Sequence, residues 1–192
     1  GKSSLVIVSP IFHQPSAGTI TFKGEDITGI RSASLARKGM VRSFQISAIF
    51  PEMTVLENVK MARLRKYGKP SQFWKSVVSM DDMDEACLSL IKDVGLQEYV
   101  SLRAGELPYG RKRALELATT LALEPEVLLL DEPMAGLGQE DIKKISALIG
   151  HVAKGKTVLM VEHNMSVIAE LSDVITVLQL SLIHISEPTR PY

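Results

Sequence analysis

The chain has 192 residues, of which 45% are hydrophobic and 23% are charged. This is the composition of one globular domain, and it excludes wholesale disorder. The 22 basic and 22 acidic residues cancel, so no basic excess indicates binding to nucleic acid or anionic lipid. The single cysteine, Cys87, excludes an internal disulfide, and no apolar run approaches the roughly 20 residues of a membrane helix.

The first four residues, Gly1-Lys2-Ser3-Ser4, match the end of a phosphate-binding loop. In such loops, backbone N–H groups and a lysine hold phosphate groups, and a hydroxyl is a ligand of Mg²⁺. A match this short also arises by chance, so an ordinary chain terminus is the alternative. Because the chain does not begin with methionine, we expect it to be either processed or a fragment.

Short apolar runs and helical periodicity predict an α/β domain with parallel strands. Buried strands are expected at Thr19–Phe22, Val127–Leu130 and Thr157–Val161. Helices are expected at Gln139–Val152 and Asn164–Leu171, and a further strand at Val174–Leu178. The alternation of strands and helices over 127–178 indicates that these strands pair in parallel.

The middle of the chain is predicted to be a helical insertion of about 80 residues between strands. Thr54–Glu57 is a capping-box pattern that opens a helix towards Arg65. Lys66–Trp74 contains glycine, proline and polar residues, which predict a surface loop. Two further helices are expected at Asp81–Val94 and Leu107–Leu123.

Two carboxylates, Asp131 and Glu132, directly follow the apolar run Val127–Leu130. Ligand sites of open α/β sheets lie at the carboxyl ends of strands. In that position Asp131 is suited to hold Mg²⁺, directly or through water, and Glu132 is suited to polarise an attacking water. The alternative is a solvated acidic turn after a core strand.

His163 follows a second predicted strand, after Val161 and Glu162. A lone histidine is more often structural than catalytic, but its position at the end of another parallel strand makes a place in the same site an equal alternative. Gln45, which follows the run Val41–Phe44, is by itself an ordinary loop glutamine.

Taken together, these residues resemble the ATP-binding subunit of an ABC transporter in their order and spacing over Gly1–Gln179. The motifs are Lys2-Ser3, Gln45, Leu107-Pro108-Tyr109-Gly110, Asp131-Glu132 and His163. Further segments are similar to the ATPases of branched-chain amino-acid importers: Gly29-Ile30, Gly39–Gln45 and Phe50–Val55.

By this resemblance, three sets of residues carry the function. The nucleotide-binding residues are Gly1, Lys2, Ser3 and Ser4 of the Walker A motif, and Leu107, Pro108, Tyr109 and Gly110 of the signature motif. The catalytic residues are the carboxylate Glu132, the switch histidine His163 and the Q-loop residue Gln45. The Mg²⁺ ligands are Ser3, Gln45 and Asp131.

The resemblance also implies the fold, the cofactors and the partners. The fold is a P-loop NTPase core, a mostly parallel sheet flanked by helices, with an inserted helical subdomain at about 66–123 of a domain that spans 1–179. The cofactors are ATP and Mg²⁺. The partners are a second ATPase subunit, identical or different, transmembrane permease subunits and, indirectly, a periplasmic solute-binding protein, whereas nucleic acid is not expected.

Such a subunit lies peripherally on the cytoplasmic face of the inner membrane. It hydrolyses ATP to drive the import of branched-chain amino acids or similar polar solutes. Two alternatives remain. One is a soluble ABC ATPase that acts on nucleic acid or ribosomes, which the charge balance and the short length disfavour; the other is an inert truncated fragment.

Two motifs depart from the family's pattern. Pro108 and Tyr109 stand where the signature usually has serine and glycine, so a hydroxyl contact to the partner's nucleotide is missing. Proline suits a first helical turn, and Gly110 keeps close backbone access. Gly138 replaces an asparagine or aspartate, which leaves out a side chain that makes a hydrogen bond across the dimer.

The segment after Gln179 changes in character. Leu180–Tyr192 resembles the translation of a sequencing-library adaptor, so we expect it to be a non-native tail. It is predicted to be exposed or loosely attached and to make no contact with the region Asp131–His163. His184 and Glu187 are assigned no function.

The motif order predicts the geometry of the site. Strand-end clustering should bring five side-chain ends within roughly 10–12 Å of one another at one sheet edge: Lys2, Gln45, Asp131, Glu132 and His163. The signature motif should lie far from Lys2 in a single chain, because the family pairs them across a dimer.

We expect the chain as printed to bind Mg-ATP weakly, because it holds only the exit of the phosphate-binding loop. Each lost hydrogen bond to a charged phosphate is worth about 1.5–3 kcal/mol, so losing two or three weakens binding by roughly 10²-fold or more. Calorimetric titration with Mg-ATP tests this, with a chain whose loop is completed upstream of Gly1 as the control. Equal micromolar affinity of the two chains would contradict the prediction.

Overall fold

The computed structural model describes residues 18–43, 49–67, 80–179 and 182–186. The strands are β1 (Thr21–Phe22), β2 (Glu25–Asp26), β3 (Met40–Ser43), β4 (Val127–Asp131), β5 (Thr157–Val161), β6 (Ile175–Gln179) and β7 (Leu182–Ser186). The helices are α1 (Ser32–Arg37), α2 (Val55–Tyr67), α3 (Met80–Asp93), α4 (Tyr109–Leu121), α5 (Gln139–Val152) and α6 (Met165–Leu171). Short 3₁₀ turns lie at Gln97–Tyr99 and Ala104–Glu106.

A parallel sheet in the order β3–β4–β5 carries the residues of the site. Val41 pairs with Leu128, and Leu128 pairs with Val158, so the carboxyl ends of the three strands meet at one edge. The central strand β4 is buried from Leu128 onwards, whereas β5 is partly exposed. α5 connects β4 to β5 as the crossover that parallel pairing requires.

The core lies between this sheet and the helices that follow and precede β4. Leu128 and Leu130 of β4 belong to one buried cluster with Leu115 of α4 and with Ile145 and Ile149 of α5. Burying such a side chain contributes roughly 1.5–3 kcal/mol. The cluster therefore holds the end of β4 in a fixed place relative to α4 and α5.

α2, α3 and α4 pack against one another and enclose Cys87, whose side chain is buried in the same core. Burial raises the pKa of the Cys87 thiol, because the thiolate form is poorly solvated there. No described helix has both the length and the apolar character needed to cross a bilayer. The boundaries 66–123 for a helical subdomain and 1–179 for the whole domain stay predictions.

α2 begins at the predicted capping box. The Thr54 hydroxyl accepts a hydrogen bond from the Glu57 N–H at 3.2 Å, and the Glu57 carboxylate accepts one from the Thr54 N–H at 2.7 Å. The Thr54 hydroxyl also donates to the Glu57 carboxylate at 3.0 Å, and the bonds from the Thr54 N–H and hydroxyl lower the pKa of the Glu57 carboxyl. α2 extends to Tyr67, two residues into the loop expected at Lys66–Trp74, and the rest of that loop lies outside the described residues.

Most of the predicted elements are confirmed. β4, β5, α3, α5 and α6 lie within one or two residues of the expected bounds. α6 starts after Asn164, whose side chain accepts hydrogen bonds from the N–H groups of Ser166 and Val167. α4 begins at Tyr109 rather than Leu107 because Pro108 is an extended N-cap residue and not part of the first turn.

Two strand predictions are wrong. Instead of a buried strand at Thr19–Phe22, the chain forms the two-residue strand β1, paired antiparallel with β2. Lys23 and Gly24 both have positive φ, at 53° and 79°, which makes the tight hairpin turn that ends β1. In the described sheets, β6 pairs antiparallel with β7 rather than in parallel with β5. β3, a strand that the sequence analysis did not predict, pairs with β4 on the side opposite β5.

Five residues of the C-terminal segment form a strand that the sequence analysis did not predict. Leu182–Ser186 forms β7, which pairs with β6 along its whole length, so loose attachment is wrong for these five residues. Alternating β-branched residues favour a strand, and β6 offers an edge with which it pairs. The rest of 180–192, including Glu187, lies outside the described residues.

Replacing Thr54 by alanine removes the hydroxyl that caps α2. We expect the free energy of unfolding to fall by about 0.5–2 kcal/mol, the usual effect of losing an N-cap side chain. Chemical denaturation measures this, and Lys143→Ala, at an exposed position of α5, is the control. Equal stability of the Thr54→Ala protein and the original chain would mean that the capping box contributes nothing.

Candidate active site

The predicted acidic and histidine residues meet at the carboxyl edge of the parallel sheet. Asp131, the last residue of β4, pairs with Val161, the last residue of β5. Glu132 follows Asp131, and His163 comes two residues after Val161. Lys2 and Gln45 lie outside the described residues, as do Gly1, Ser3 and Ser4. Asp131, Glu132 and His163 therefore lie at one edge of the sheet, whereas the clustering of all five side-chain ends and the roles of these residues stay predictions.

Asp131 forms a buried ion pair with Arg42 of β3. Arg42 Nη2 donates to Asp131 Oδ2 at 2.6 Å, and the two side chains are 0% and 6% exposed. Arg42 pairs in register with Leu129, two residues before Asp131, so both side chains leave the same face of the sheet. Sequence reasoning missed this partner, although a basic residue within the strand segment Met40–Ser43 is a visible signal.

The other oxygen of Asp131 is suited to a cation. Asp131 Oδ1 is buried and has no hydrogen-bond partner within the part of the chain that the structure describes. Mg²⁺ prefers oxygen ligands and usually takes only one or two protein carboxylates beside phosphate groups and water. Among the described residues there is no cluster of three or more metal-ligating side chains.

Glu132 turns away from the sheet as soon as β4 ends. Its φ is 46°, in the left-handed region that residues other than glycine rarely adopt, and its N–H donates to the Val161 carbonyl at 2.8 Å. Its side chain is 42% exposed, and its Oε1 lies 3.9 Å from Nδ1 of His163, which is 70% exposed. Both side chains are thus accessible to a ligand, and no direct hydrogen bond fixes their separation.

The neighbouring residue Glu162 is buried instead. Its Oε1 accepts a hydrogen bond from the Met134 N–H at 3.1 Å, and its Oε2 accepts from the N–H groups of His163 at 2.8 Å and Asn164 at 3.1 Å. Sequence reasoning assigned Glu162 no role. Its Oε2 also lies 3.9 Å from Nδ1 of His163. The hydrogen bonds from backbone N–H groups leave no trace in a sequence.

The four residues Leu107–Gly110 lie at the start of α4. Leu107 is buried, and the Pro108 carbonyl accepts hydrogen bonds from the N–H groups of Arg111 and Lys112 in the first turn. Tyr109 is half exposed. Whether this segment lies far from Lys2 stays a prediction, because Lys2 is outside the described residues.

Tyr109 joins the start of α4 to the loop after Glu132. Its hydroxyl donates to the Ala135 carbonyl at 3.3 Å and accepts from Arg113 at 2.8 Å, and the Arg113 guanidinium lies 5.2 Å from the centre of its ring. A Cβ atom at Gly136, where φ is 76°, would lie 3.2 Å from that hydroxyl. A residue larger than glycine at position 136 would therefore crowd the Tyr109 side chain.

Gly110 and Gly138 differ in what surrounds them. A Cβ atom at Gly110 would lie 2.7 Å from Cγ of Asp141 in α5. The absence of a side chain at Gly110 therefore lets the Asp141 carboxylate lie close to the backbone of α4. Gly138 is the N-cap of α5 without a side-chain cap, and a Cβ there would meet nothing within 4 Å. The asparagine or aspartate expected at position 138 would therefore fit sterically.

Comparison with known proteins identifies the family to which the chain belongs. A family model described as ABC transporter matches residues 1–135. The chain is 35% identical over 188 residues to the high-affinity branched-chain amino acid transport ATP-binding protein of Pseudomonas aeruginosa, a match that covers 93% of this chain and 72% of that protein. The chain belongs to the ABC transporter family. The Escherichia coli K12 protein with the same description is 34% identical over 180 residues, covering 90% and 71% of the two chains.

Solved ABC cassettes share the fold. A nucleotide-free ATP-binding cassette from an ABC transporter superposes with a TM-score of 0.81 at 28% identity, covering 98% of this chain and 77% of that one. An ADP conformation of such a cassette gives a TM-score of 0.82 at 28% identity, covering 97% and 76%. The α/β P-loop fold expected from the sequence is therefore confirmed, and the chain is an ABC-type ATPase cassette.

In this cassette, Gly110→Ala should be destabilising because the new methyl group collides with the Asp141 carboxylate. Overpacking costs about 1–3 kcal/mol, and because the Asp141 side chain can rotate and alanine favours a helix over glycine, the loss should lie at the low end of that range. Shortening the neighbour in the double variant Gly110→Ala/Asp141→Ala should recover most of the loss, which denaturation measurements on both variants and on Asp141→Ala would detect. Strictly additive effects would show that the collision is not the cause.

Proposed function

We propose that the chain is the ATP-binding and ATP-hydrolysing subunit of an importer for branched-chain amino acids or a similar polar solute. The observation that carries this proposal is the meeting of Asp131, Glu132 and His163 at one sheet edge, with Asp131 Oδ1 left for a cation. The two relatives described above, both named for branched-chain amino acid transport, support the substrate class. The equal numbers of basic and acidic residues give no support to the alternative of an ATPase that acts on nucleic acid.

In this proposal each described residue has a distinct task. Arg42 fixes Asp131 through Oδ2, so that Oδ1 keeps one orientation. Glu132, accessible and next to Asp131, orients the attacking water and accepts its proton at a carboxylate oxygen. His163 lies within reach of the same space and donates a hydrogen bond to the terminal phosphate. Lys2, Ser3 and Gln45 complete the site by resemblance to the family.

Mg²⁺ held by Asp131, with Ser3 and Gln45, would supply positive charge against the phosphate oxygens of ATP. The fit rests on the unpartnered oxygen of Asp131. The protein's contribution is electrostatic and positional, because phosphoryl transfer needs little covalent chemistry from side chains.

The proposed partner in hydrolysis is a second cassette, identical or different. Leu107–Gly110 would face the nucleotide bound to that partner, and the half-exposed Tyr109 is consistent with a surface that another chain covers. Backbone N–H groups at the start of α4 suit a phosphate. Transmembrane permease subunits would bind the cassette at the cytoplasmic face of the membrane, and a periplasmic solute-binding protein would act on them from the other side.

We also propose the domain limits given by the sequence. The cassette spans 1–179, with a helical subdomain at about 66–123 formed around α3 and α4. Residues 180–192 are a non-native addition, although part of this segment pairs with β6.

Glu132→Gln tests the proposed catalytic carboxylate. In a chain whose phosphate-binding loop is completed upstream of Gly1, we expect ATP binding to be retained and hydrolysis to slow by about 10²–10⁴-fold, because the amide cannot accept the proton of water. Calorimetry measures binding, and phosphate release measures turnover. Glu140→Gln, an exposed carboxylate paired with Lys144, is the matched control; unchanged turnover in Glu132→Gln would remove this residue from the mechanism.

A further inference from the structure

Glu162 is a buried carboxylate that accepts hydrogen bonds from backbone N–H groups, and its Oε2 also lies 3.9 Å from Nδ1 of the His163 side chain. Its side chain is 1% exposed, and its two oxygens accept three hydrogen bonds. Hydrogen bonds to an ionised acceptor are roughly twice as strong as those between neutral groups. A carboxylate that is removed from water and saturated in this way strongly constrains the backbone that donates to it.

The three donors belong to two different loops. Met134 lies in the loop that follows β4, two residues after Glu132. His163 and Asn164 lie in the turn that follows β5 and leads into α6, where the Asn164 side chain caps the helix. Glu162 therefore joins, through one side chain, the segment that carries the catalytic carboxylate to the segment that carries the histidine.

This connection matters because Glu132 and His163 do not fix each other. Their side chains are 3.9 Å apart and both are exposed, so the distance is too long for a hydrogen bond. The Glu132 N–H bond to Val161 fixes only one end of the pair. Their separation must be set by the backbone beneath them.

We propose that Glu162 is a positioning residue for ATP hydrolysis, which holds His163 at a fixed distance from Glu132 by binding the backbone of both loops. This inference rests on the proposed function. Glu162 touches neither nucleotide nor water in this role and acts through the two loops that it joins.

The isosteric variant Glu162→Gln separates positioning from packing. Glutamine keeps the shape of the side chain, but an NH₂ group replaces one of the two acceptor oxygens. That NH₂ group faces a backbone N–H, and two donors cannot form a hydrogen bond with each other. Either the Met134 bond or the bonds to His163 and Asn164 are lost. Glu162→Asp keeps two acceptor oxygens on a shorter side chain, and Glu170→Gln is the control, because its partner Ser146 lies on α5 away from both loops.

The experiment measures kcat and KM for ATP in the loop-completed chain, together with amide hydrogen exchange at Met134, His163 and Asn164. For Glu162→Gln we expect kcat to fall by about 10–100-fold with KM within about twofold, since misplacement affects the chemical step more than binding. We expect exchange to quicken about tenfold or more on at least one side of the carboxylate. Glu162→Asp should have a kcat between those of the original chain and Glu162→Gln, and Glu170→Gln should change neither quantity.

Several outcomes would overturn the proposal. These are a normal kcat in Glu162→Gln, a loss of kcat with all three amides still protected, an equal loss in Glu170→Gln, or a kcat for Glu162→Asp below that of Glu162→Gln. If the loop-completed chain with its original Glu162 hydrolyses no ATP, the proposed function fails first, and the exchange measurement still decides whether Glu162 joins the two loops. The two failures are therefore distinguishable.

Discussion

The ion pair between Arg42 and Asp131 is the constraint on which the rest of the site depends. Two charges lie out of water between β3 and β4, where removing one partner typically costs about 3–5 kcal/mol. Desolvation offsets much of the attraction, so the pair is weak evidence for net stability. Its effect is on geometry: one oxygen of Asp131 is occupied, and the rotation of the carboxylate is fixed.

From that fixed point the site is built outward by backbone geometry. β4 and β5 run in register to their ends, so the residues that follow them leave the sheet side by side. Glu132 leaves β4 in a left-handed conformation, which strains the backbone exactly where a reacting group is expected, as is common in active sites. On the far side of the loop, Tyr109 binds Ala135 and packs on Gly136, so the segment Leu107–Gly110 and this loop are in direct contact.

The sequence predicted those parts of the molecule whose cause is local. The apolar run before Asp131 identified β4, the capping box identified the start of α2, and periodicity identified α5. The positions of Asp131, Glu132 and His163 were predictable because each lies at the end of a strand or within two residues after it. The third strand of the sheet was not, since Met40–Ser43 mixes apolar, basic and hydroxyl residues and shows its role only beside β4.

The remaining errors come from contacts that no local pattern encodes. Arg42 binds Asp131, which lies 89 residues further along the chain. Glu162 accepts a hydrogen bond from the backbone of Met134, which lies in a different loop. The strand predicted at Thr19–Phe22 is wrong because the turn at Lys23 and Gly24 limits β1 to two residues. Leu182–Ser186 was expected to be loosely attached because it resembles a translated adaptor sequence. Strand formation depends instead on the type of side chain and on an available sheet edge.

The burial of Cys87 has a practical consequence for anyone who studies this chain in solution. Its thiol lies in the interior of the helical layer formed by α2, α3 and α4, and its raised pKa keeps it in the poorly nucleophilic form. An alkylating reagent reaches it only when those helices separate, so the rate of modification reports how often the layer opens. Because the sequence contains no other cysteine, that rate can be followed by mass spectrometry without any engineered label. Measured with ligand present, it shows whether binding at the strand edge changes how often the helices separate.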